Sequence, residues 1–563
     1  MATSLVFFAL ASTAFLSFLG YGLARLLLPG EWEQERGLLA PLLGYLLLLL
    51  VGYYAVWTVF SLVGALALLM VLSTALNALA LGRWWRARRP ALAGLGKQAW
   101  MGFTRKMREH GLAWAIALIV FSLAVLPLLR YGYATVIGEN WDPENYLIVS
   151  EYLKRGPVGQ IAAMPDNPLR DLNASPPRIG LTLGFSVLQG TLGLLLGQDA
   201  LRTFAPTIAF LGGLAALALY VLFRQGFEMG PWAGALATLL GALSPLSLWA
   251  AFFNFGMQMS ALALVPLALA LWLLLLRHPS WRTLLLAGLA IAAIPVAYYP
   301  ALTIFVPLAL GVGLYEVLRA GRRWQVVLGL GLLAALLAAA LAIGPILDYG
   351  AGFAFRYSQQ LTTLGLFHFI SAGQVLGLAP FSRIPEPLPA AWEYAEWAGL
   401  AILALLALVL LISSRRRWLW LATLLPIGLY LAWLRGWLWT LAGALGIQGE
   451  VLARLEPYPY AFLKGTVFAT PLLLALAVAG AERLWQIAAW RGKRVVLAVL
   501  VAMLLLPTAL LLASDARLLA RYGKYPAHFD QEVLQVEEAA RLLPPGASVY
   551  LTGRPERSRL QLS

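Results

Sequence analysis

The chain has 563 residues, of which 61 % are hydrophobic and 12 % are charged, and its formal net charge is +15. Soluble domains are about 45–50 % apolar and about 25 % charged. So few polar residues cannot cover the surface of a water-soluble protein of this length, which excludes a soluble enzyme, a disordered chain and a fibre. The positive charge does not require a nucleic-acid partner, because basic residues commonly flank membrane spans. Cysteine is absent, which excludes disulfides, thiolate metal ligands and a catalytic thiol.

Apolar stretches of bilayer length recur along the chain and predict an all-α polytopic membrane protein with roughly 14 transmembrane helices. A further apolar stretch at 180–197 can either cross the membrane or lie at its surface. The predicted spans are 3–29, 38–60, 61–82, 112–130, 203–223, 231–253, 257–276, 284–298, 301–318, 326–346, 398–413, 418–434, 466–483 and 495–514.

The distribution of arginine and lysine predicts the orientation. The most basic loop, 83–108, is expected in the cytoplasm. Four further basic clusters begin at Arg277, Arg319, Arg415 and Arg483. All four lie in the cytoplasm if 180–197 does not cross the membrane, whereas the first two lie outside if it does. We therefore expect an interfacial helix at 180–197. The N-terminus and four segments are then extracytoplasmic: 131–202, 347–397, 435–465 and 515–563.

The chain divides into three predicted parts. Residues 1–111 hold additional N-terminal transmembrane helices and the basic cytoplasmic loop, and 112–514 form the main transmembrane core. Residues 515–563 are expected to begin an extracytoplasmic α/β domain, because an amphipathic helix near 533–542 precedes a strand at 547–551. One helix and one strand cannot bury a core, so this domain is expected to be incomplete here.

The first predicted outer loop carries two acids at the membrane edge, Asp142 and Glu144. Acidic residues in this position are costly unless they are paired or used. Pro143 suits the first turn of a helix and Asp142 suits its N-cap. Asp142 can therefore cap the helix, act in catalysis or do both, and Glu144 is the second catalytic candidate.

Cationic and aromatic residues in the predicted outer loops are candidates for binding a lipid phosphate. Arg178 and Arg202 bracket the apolar stretch 180–197, where guanidinium groups can hold a phosphate or simply snorkel to the interface.

Two further pairs belong to this set. Arg356 and Tyr357 could hold a phosphate or a sugar. Tyr460 and Lys464 suit a lipid phosphate, and an aromatic belt explains them equally well.

The order of these features resembles the GT-C superfamily of integral-membrane glycosyltransferases. An acid in the first outer loop, Asp142, is followed by Pro176-Pro177 at the start of an apolar surface helix. A Gly-x-x-x-Leu-Arg stretch then ends at Arg202, ahead of a span that closes with Leu-Tyr-Val-Leu-Phe-Arg at 219–224. The resemblance covers 112–260 by pattern and 112–514 by general layout, so the predicted main core is GT-C-like.

Members of this superfamily include protein mannosyltransferases, lipid A aminoarabinose transferases and oligosaccharyltransferases. The resemblance implies a polyprenyl-phosphate-linked sugar donor and an extracytoplasmic acceptor, which can be a protein, a lipid or a glycan of the cell envelope. It also implies that Asp142 is the general base or an acceptor-binding group. An arginine-rich composition beside abundant alanine, leucine and glycine is typical of GC-rich bacteria, so we expect the bacterial cytoplasmic membrane.

Two departures from the family pattern affect the expected chemistry. Many relatives have a second acid directly after the first, where this chain has Pro143. Many also have an aspartate in the second outer turn, and here the turn 252–258 contains no acid. We therefore expect metal-independent, inverting transfer without a cofactor, with a divalent metal as the less favoured option.

Three other functions stay open from the sequence. A polysaccharide polymerase or ligase would use a lipid-pyrophosphate donor, and His368 would then gain importance. A transporter is disfavoured by the lack of a charged residue in mid-span and of an inverted repeat of broken helices. A non-catalytic membrane component is the last alternative.

Overall fold

The computed structural model describes residues 2–88, 96–131, 143–158, 182–347, 369–381, 389–414, 416–444, 459–490 and 494–522. Helices account for all regular structure in these residues, and no strand occurs among them. An all-α polytopic membrane protein is thus confirmed for the described part. The helix and strand predicted within 533–551 lie outside it.

The helices follow the apolar stretches of the sequence. In the first half they are α1 (Ala2–Leu27), α2 (Arg36–Thr58), α3 (Leu62–Arg88), α4 (Gly96–Tyr131), α5 (Pro143–Arg155), α6 (Gly184–Leu196), α7 (Ala200–Val221), α8 (Pro231–Ala242), α9 (Pro245–Phe252) and α10 (Gly256–Arg277). In the second half they are α11 (Trp281–Tyr298), α12 (Leu302–Arg319), α13 (Trp324–Leu341), α14 (Ala372–Val375), α15 (Ala390–Ser413), α16 (Arg417–Arg435), α17 (Trp437–Ala444), α18 (Pro459–Trp490) and α19 (Arg494–Tyr522).

Twelve helical stretches within the described residues are long and apolar enough to cross a membrane. Helices α8 and α9 form a thirteenth candidate span if they are counted together, with a bend of 44° between them. Ser244 caps α9 and Pro245 begins it, so the chain restarts a helix inside an apolar run. Helices α2, α7 and α10 are almost wholly buried and form the centre of the bundle.

Ionic contacts collect at one end of the bundle, which we call the ionic face. Arg277 Nε lies 2.7 Å from Glu316 Oε1, and Gln225 Nε2 donates to Glu35 Oε1 at 2.7 Å. Glu228, whose φ is 53°, pairs there with Arg277 at 3.3 Å and with Arg416 at 2.5 Å. The ends of α7, α10 and α12 and the start of α16 therefore lie at the same face.

The long apolar stretch Trp281–Arg319 reverses direction at its middle. Its two helices have 18 residues each, or about 27 Å. The Arg277–Glu316 ion pair brings the start of α11 and the end of α12 to the ionic face. The turn at Tyr299–Ala301 must therefore lie at the opposite face, where extended backbone at Tyr298 and Pro300 interrupt the helix.

Helix α6 has 13 residues and is too short to cross the membrane. Thr182, just before it, donates to the Ala297 carbonyl beside the Tyr299–Ala301 turn. Gln198, just after it, accepts from Lys154 at 3.1 Å and leads into α7, which runs back to the ionic face. Both ends of α6 thus lie near the face opposite the ionic face, and the position of 180–197 relative to a membrane stays a prediction.

Candidate functional site

Lys464 lies at the face opposite the ionic face, surrounded by aromatic rings. Its ammonium is 4.3 Å from the ring centroid of Tyr460, 4.5 Å from that of Phe255 and 5.5 Å from that of Tyr298. Tyr460 and Lys464 are one helical turn apart on α18, so their side chains share a face. The structure thus brings these two predicted residues together and adds Phe255 and Tyr298 from two turns elsewhere in the chain. We call these four residues the Lys464 cluster.

Two buried amides border the cluster. Asn254, in the left-handed conformation with φ 60°, is 2 % exposed, and Gln258 is 1 % exposed. Gln258 Nε2 donates to the Lys464 carbonyl at 3.2 Å. Within the described residues, Asn254 Nδ2 and Gln258 Oε1 have no hydrogen-bond partner. Because an unmet buried polar group costs about 1–3 kcal/mol, each points to a ligand or an ordered water.

An apolar cleft lies one helical turn inward from the Lys464 cluster, and none of the four cluster residues lines it. On α18, Phe468 and Leu472 line it on the helical face that carries Lys464. On α10, Met259 and Leu262 line the opposite side, directly after Gln258. A cation at the membrane edge above an apolar cleft matches an amphipathic ligand with an anionic head.

An aromatic triad connects the first predicted outer loop with the cluster. The ring of Tyr146 on α5 lies 4.9 Å from that of Phe185 on α6, which lies 5.4 Å from that of Phe204 on α7. Phe185 also lies against Gly256, where a Cβ would be 2.8 Å from the ring. The first turn of α5 is therefore packed, through Phe185, against the turn that carries Phe255.

Arg202 has a protein carboxylate as a partner. Its backbone N–H donates to Asp199 Oδ1 at 2.8 Å, and its guanidinium pairs with Asp199 Oδ2. The backbone N–H of Ala200 donates to Glu151 of α5. Arg202 thus belongs to the capped first turn of α7, whereas Lys464 belongs to the aromatic cluster.

Several predicted site residues cannot be placed. Asp142, Arg178, Arg356, Tyr357 and His368 lie outside the described residues, as does the side chain of Glu144. Their roles stay predictions.

The sequence analysis missed two residues of chemical interest. Arg435 lies over the rings of Phe369 at 4.2 Å and Phe462 at 5.7 Å, and its Nη1 has no partner among the described residues. Asp515 is a buried carboxylate in α19. Arg435 could have been found as the basic residue that ends an apolar span at an outer loop. Asp515 was hidden because the span was predicted to end at 514.

The described residues contain no group of three His, Asp or Glu side chains that could hold a metal ion. No protein-family model matches the sequence, and no curated protein matches it.

Proposed function

We propose that the chain is a GT-C-like glycosyltransferase that moves a sugar from a polyprenyl-phosphate donor to an extracytoplasmic acceptor. The observation that carries the proposal is the Lys464 ammonium, which lies among aromatic rings one helical turn from an apolar cleft. A polyprenyl phosphate has a matching shape, with an anionic head and a long hydrocarbon chain. The motif order ending at Arg202 supports the same reaction class.

The proposed reaction is a single displacement. The acceptor oxygen bonds to the anomeric carbon, the bond from that carbon to the phosphate oxygen breaks, and the acceptor proton passes to Asp142. Lys464 and the Asn254 amide stabilise the charge that grows on the leaving phosphate. One displacement inverts the anomeric centre, and no metal takes part. Glu144 is the reserve base.

The proposed orientation follows from the charges at the ionic face. Because basic residues concentrate at cytoplasmic ends of spans, this face is assigned to the cytoplasm of a bacterial inner membrane. The Lys464 cluster and the N-terminus then lie on the extracytoplasmic side. The proposed topology counts α11 and α12 as separate crossings and α8–α9 as one crossing.

The test uses the purified full chain in lipid vesicles with polyprenyl-phosphate hexoses and a panel of peptide, lipid and glycan acceptors. We expect acceptor-dependent release of polyprenyl phosphate, and its loss in Lys464→Met. The matched control is Lys154→Met, because Lys154 lies near the same face but outside the Lys464 cluster, in an ion pair with Glu151 at 2.7 Å. Release of a polyprenyl pyrophosphate from the corresponding donor would instead support the polymerase or ligase. If neither polyprenyl phosphate nor polyprenyl pyrophosphate is released from any donor, the result would support a non-catalytic membrane component.

Transport is a second candidate, favoured by two observations. The helix pair α8–α9 is broken by a 44° bend, and Asp515 is a buried carboxylate in a helix of spanning length. Broken helices and intramembrane acids are typical of transporter binding sites. Solute uptake into vesicles that is lost in Asp515→Asn, without any glycosyl transfer, would support this function over the first.

A further inference from the structure

Asp515 is a buried acid without a partner among the residues that the structure describes. It is 4 % exposed, and neither of its carboxylate oxygens has a hydrogen-bond partner among the described residues. The hydroxyl of Ser514, which is fully buried beside it, also has none there. Three oxygen atoms in neighbouring side chains are therefore unused within the described part of the bundle.

The face of α19 that carries Asp515 packs along the outer arm of the broken helix. Leu511, one turn before Asp515, and Pro245, at the start of α9, both lie next to Gly377. The ring of Tyr522, two turns after Asp515, lies 5.0 Å from that of Phe252 at the end of α9. Asp515 thus lies beside α9, between the helix break and the outer end of the bundle.

The neighbouring helices supply no described ion pair to Asp515. Helix α9 contains no charged residue. On α18, Lys464 lies against its aromatic rings and Arg483 reaches the Ser413 carbonyl at 3.4 Å. On α15 the acids are Glu393 and Glu396.

On the remaining neighbour, α4, the charged side chains that the structure describes are His110 and Arg130. His110 lies 3.7 Å from Glu35 at the ionic face, and Arg130 is near the opposite end of α4. On α19 itself, Arg517 is exposed and lies over Trp392, and Arg521 has an interaction with a group other than Asp515.

A buried ionised carboxylate requires a counter-charge. A single positive charge neutralises it, either as a proton or as a bound monovalent cation, whereas a divalent ion would leave one unit of charge buried. The side-chain atoms available to bind a cation are oxygens, which alkali cations take as ligands. In membrane transporters, coupling cations bind at broken helices. We propose that Asp515 and Ser514 form a binding site for a monovalent alkali cation beside α9. The site is independent of the proposed glycosyl transfer.

The experiment compares thermal unfolding of the purified full chain in NaCl, KCl and choline chloride at equal ionic strength. We expect a saturable rise of several degrees in the unfolding midpoint with Na⁺ or K⁺ over choline. In Asp515→Asn the cation-specific rise should disappear, while the midpoint in choline should increase because the neutral amide needs no counter-charge. Ser514→Ala should weaken the apparent cation affinity several-fold and provides a second test if Asp515→Asn does not fold.

Glu316→Gln is the matched control, because Glu316 is buried to a similar degree, at 5 % exposure, but pairs with Arg277. It should lower the midpoint and keep the cation-specific rise. The proposal is overturned if the wild-type chain shows no difference between alkali and choline salts, or if Asp515→Asn and Ser514→Ala both keep the full rise.

Discussion

Arg202 and Lys464 differ in what surrounds their charges. The guanidinium of Arg202 is paired with Asp199, so a phosphate there must compete with a carboxylate. The ammonium of Lys464 lies over ring faces of Tyr460, Phe255 and Tyr298, which hold a cation without removing its charge. We keep Lys464 as the candidate for the leaving phosphate because a buried amide and an apolar cleft lie next to it.

Replacing Lys464 should weaken binding of the phosphate head without affecting the hydrocarbon chain. A hydrogen bond to a charged group contributes about 1.5–3 kcal/mol, which corresponds to an affinity loss of about 10–100-fold. We expect this loss for farnesyl phosphate in Lys464→Met, and almost no change for the uncharged analogue farnesol. Thermal-shift titrations measure both ligands, with Lys154→Met as the control. If the affinities for farnesyl phosphate and farnesol fell equally, Lys464 would have a packing role and no specific role in binding the phosphate.

Asp142→Asn separates capping from catalysis. Asparagine caps a helix about as well as aspartate, so stability should be unchanged, but it cannot accept a proton. Loss of a general base typically lowers the rate by about 10²–10⁴, so we expect sugar transfer to fall at least about a hundredfold. Rate assays and thermal unfolding of the same preparation test this. Normal transfer in Asp142→Asn together with an inactive Glu144→Gln would move the role to Glu144.

The sequence predicts only part of this site, for a physical reason. The spacing of Tyr460 and Lys464 by four residues places them on one helical face, which is local information. Phe255 and Tyr298 join them through turns that only packing of distant helices brings together. Asp515 shows the limit of hydropathy. The predicted span 495–514 stops directly before this charge, whereas the helix continues to Tyr522.

At the scale of elements, apolar length predicts helices well but misses breaks inside them. The predicted span 231–253 is two helices, since Ser244 and Pro245 supply a cap and a first turn within an apolar run. The predicted spans 284–298 and 301–318 are distinct helices because the Tyr-Pro at 299–300 stops the first one. Local capping chemistry decides where apolar helices stop, and average hydropathy does not report it.

Gly256 makes the contact between helix α6 and the turn that carries Phe255 of the Lys464 cluster. Because even a Cβ would lie 2.8 Å from the Phe185 ring, Gly256→Val should push α6 and the turn apart. Overpacking of this kind costs about 1–3 kcal/mol. We expect a lower unfolding midpoint and weaker farnesyl phosphate binding.

The second-site variant Phe185→Ala makes room for the added side chain. Combined with Gly256→Val, it should restore part of the binding that the single substitution loses. A double variant as weak as Gly256→Val alone would argue against this contact as the link.

At the scale of the whole molecule, the two ends of the bundle carry different chemistry. The ionic face joins the ends of several helices through Glu228, Arg277 and Glu316. The opposite face carries the aromatic Lys464 cluster above an apolar cleft. The proposed glycosyl transfer needs this arrangement, because its lipid donor would enter the site at the opposite face from the bilayer.

Single cysteines can assign the two faces to the two sides of the membrane, because the chain contains no cysteine of its own. Arg282 and Arg322 are exposed at the ends of α11 and α12 that meet the ionic face, and Gln198 is exposed between α6 and α7. In intact cells we expect an impermeant thiol reagent to label Gln198→Cys but neither arginine variant. All three should be labelled after permeabilisation. Labelling of Gln198→Cys only after permeabilisation would reverse the orientation and place the Lys464 cluster in the cytoplasm, away from an extracytoplasmic acceptor.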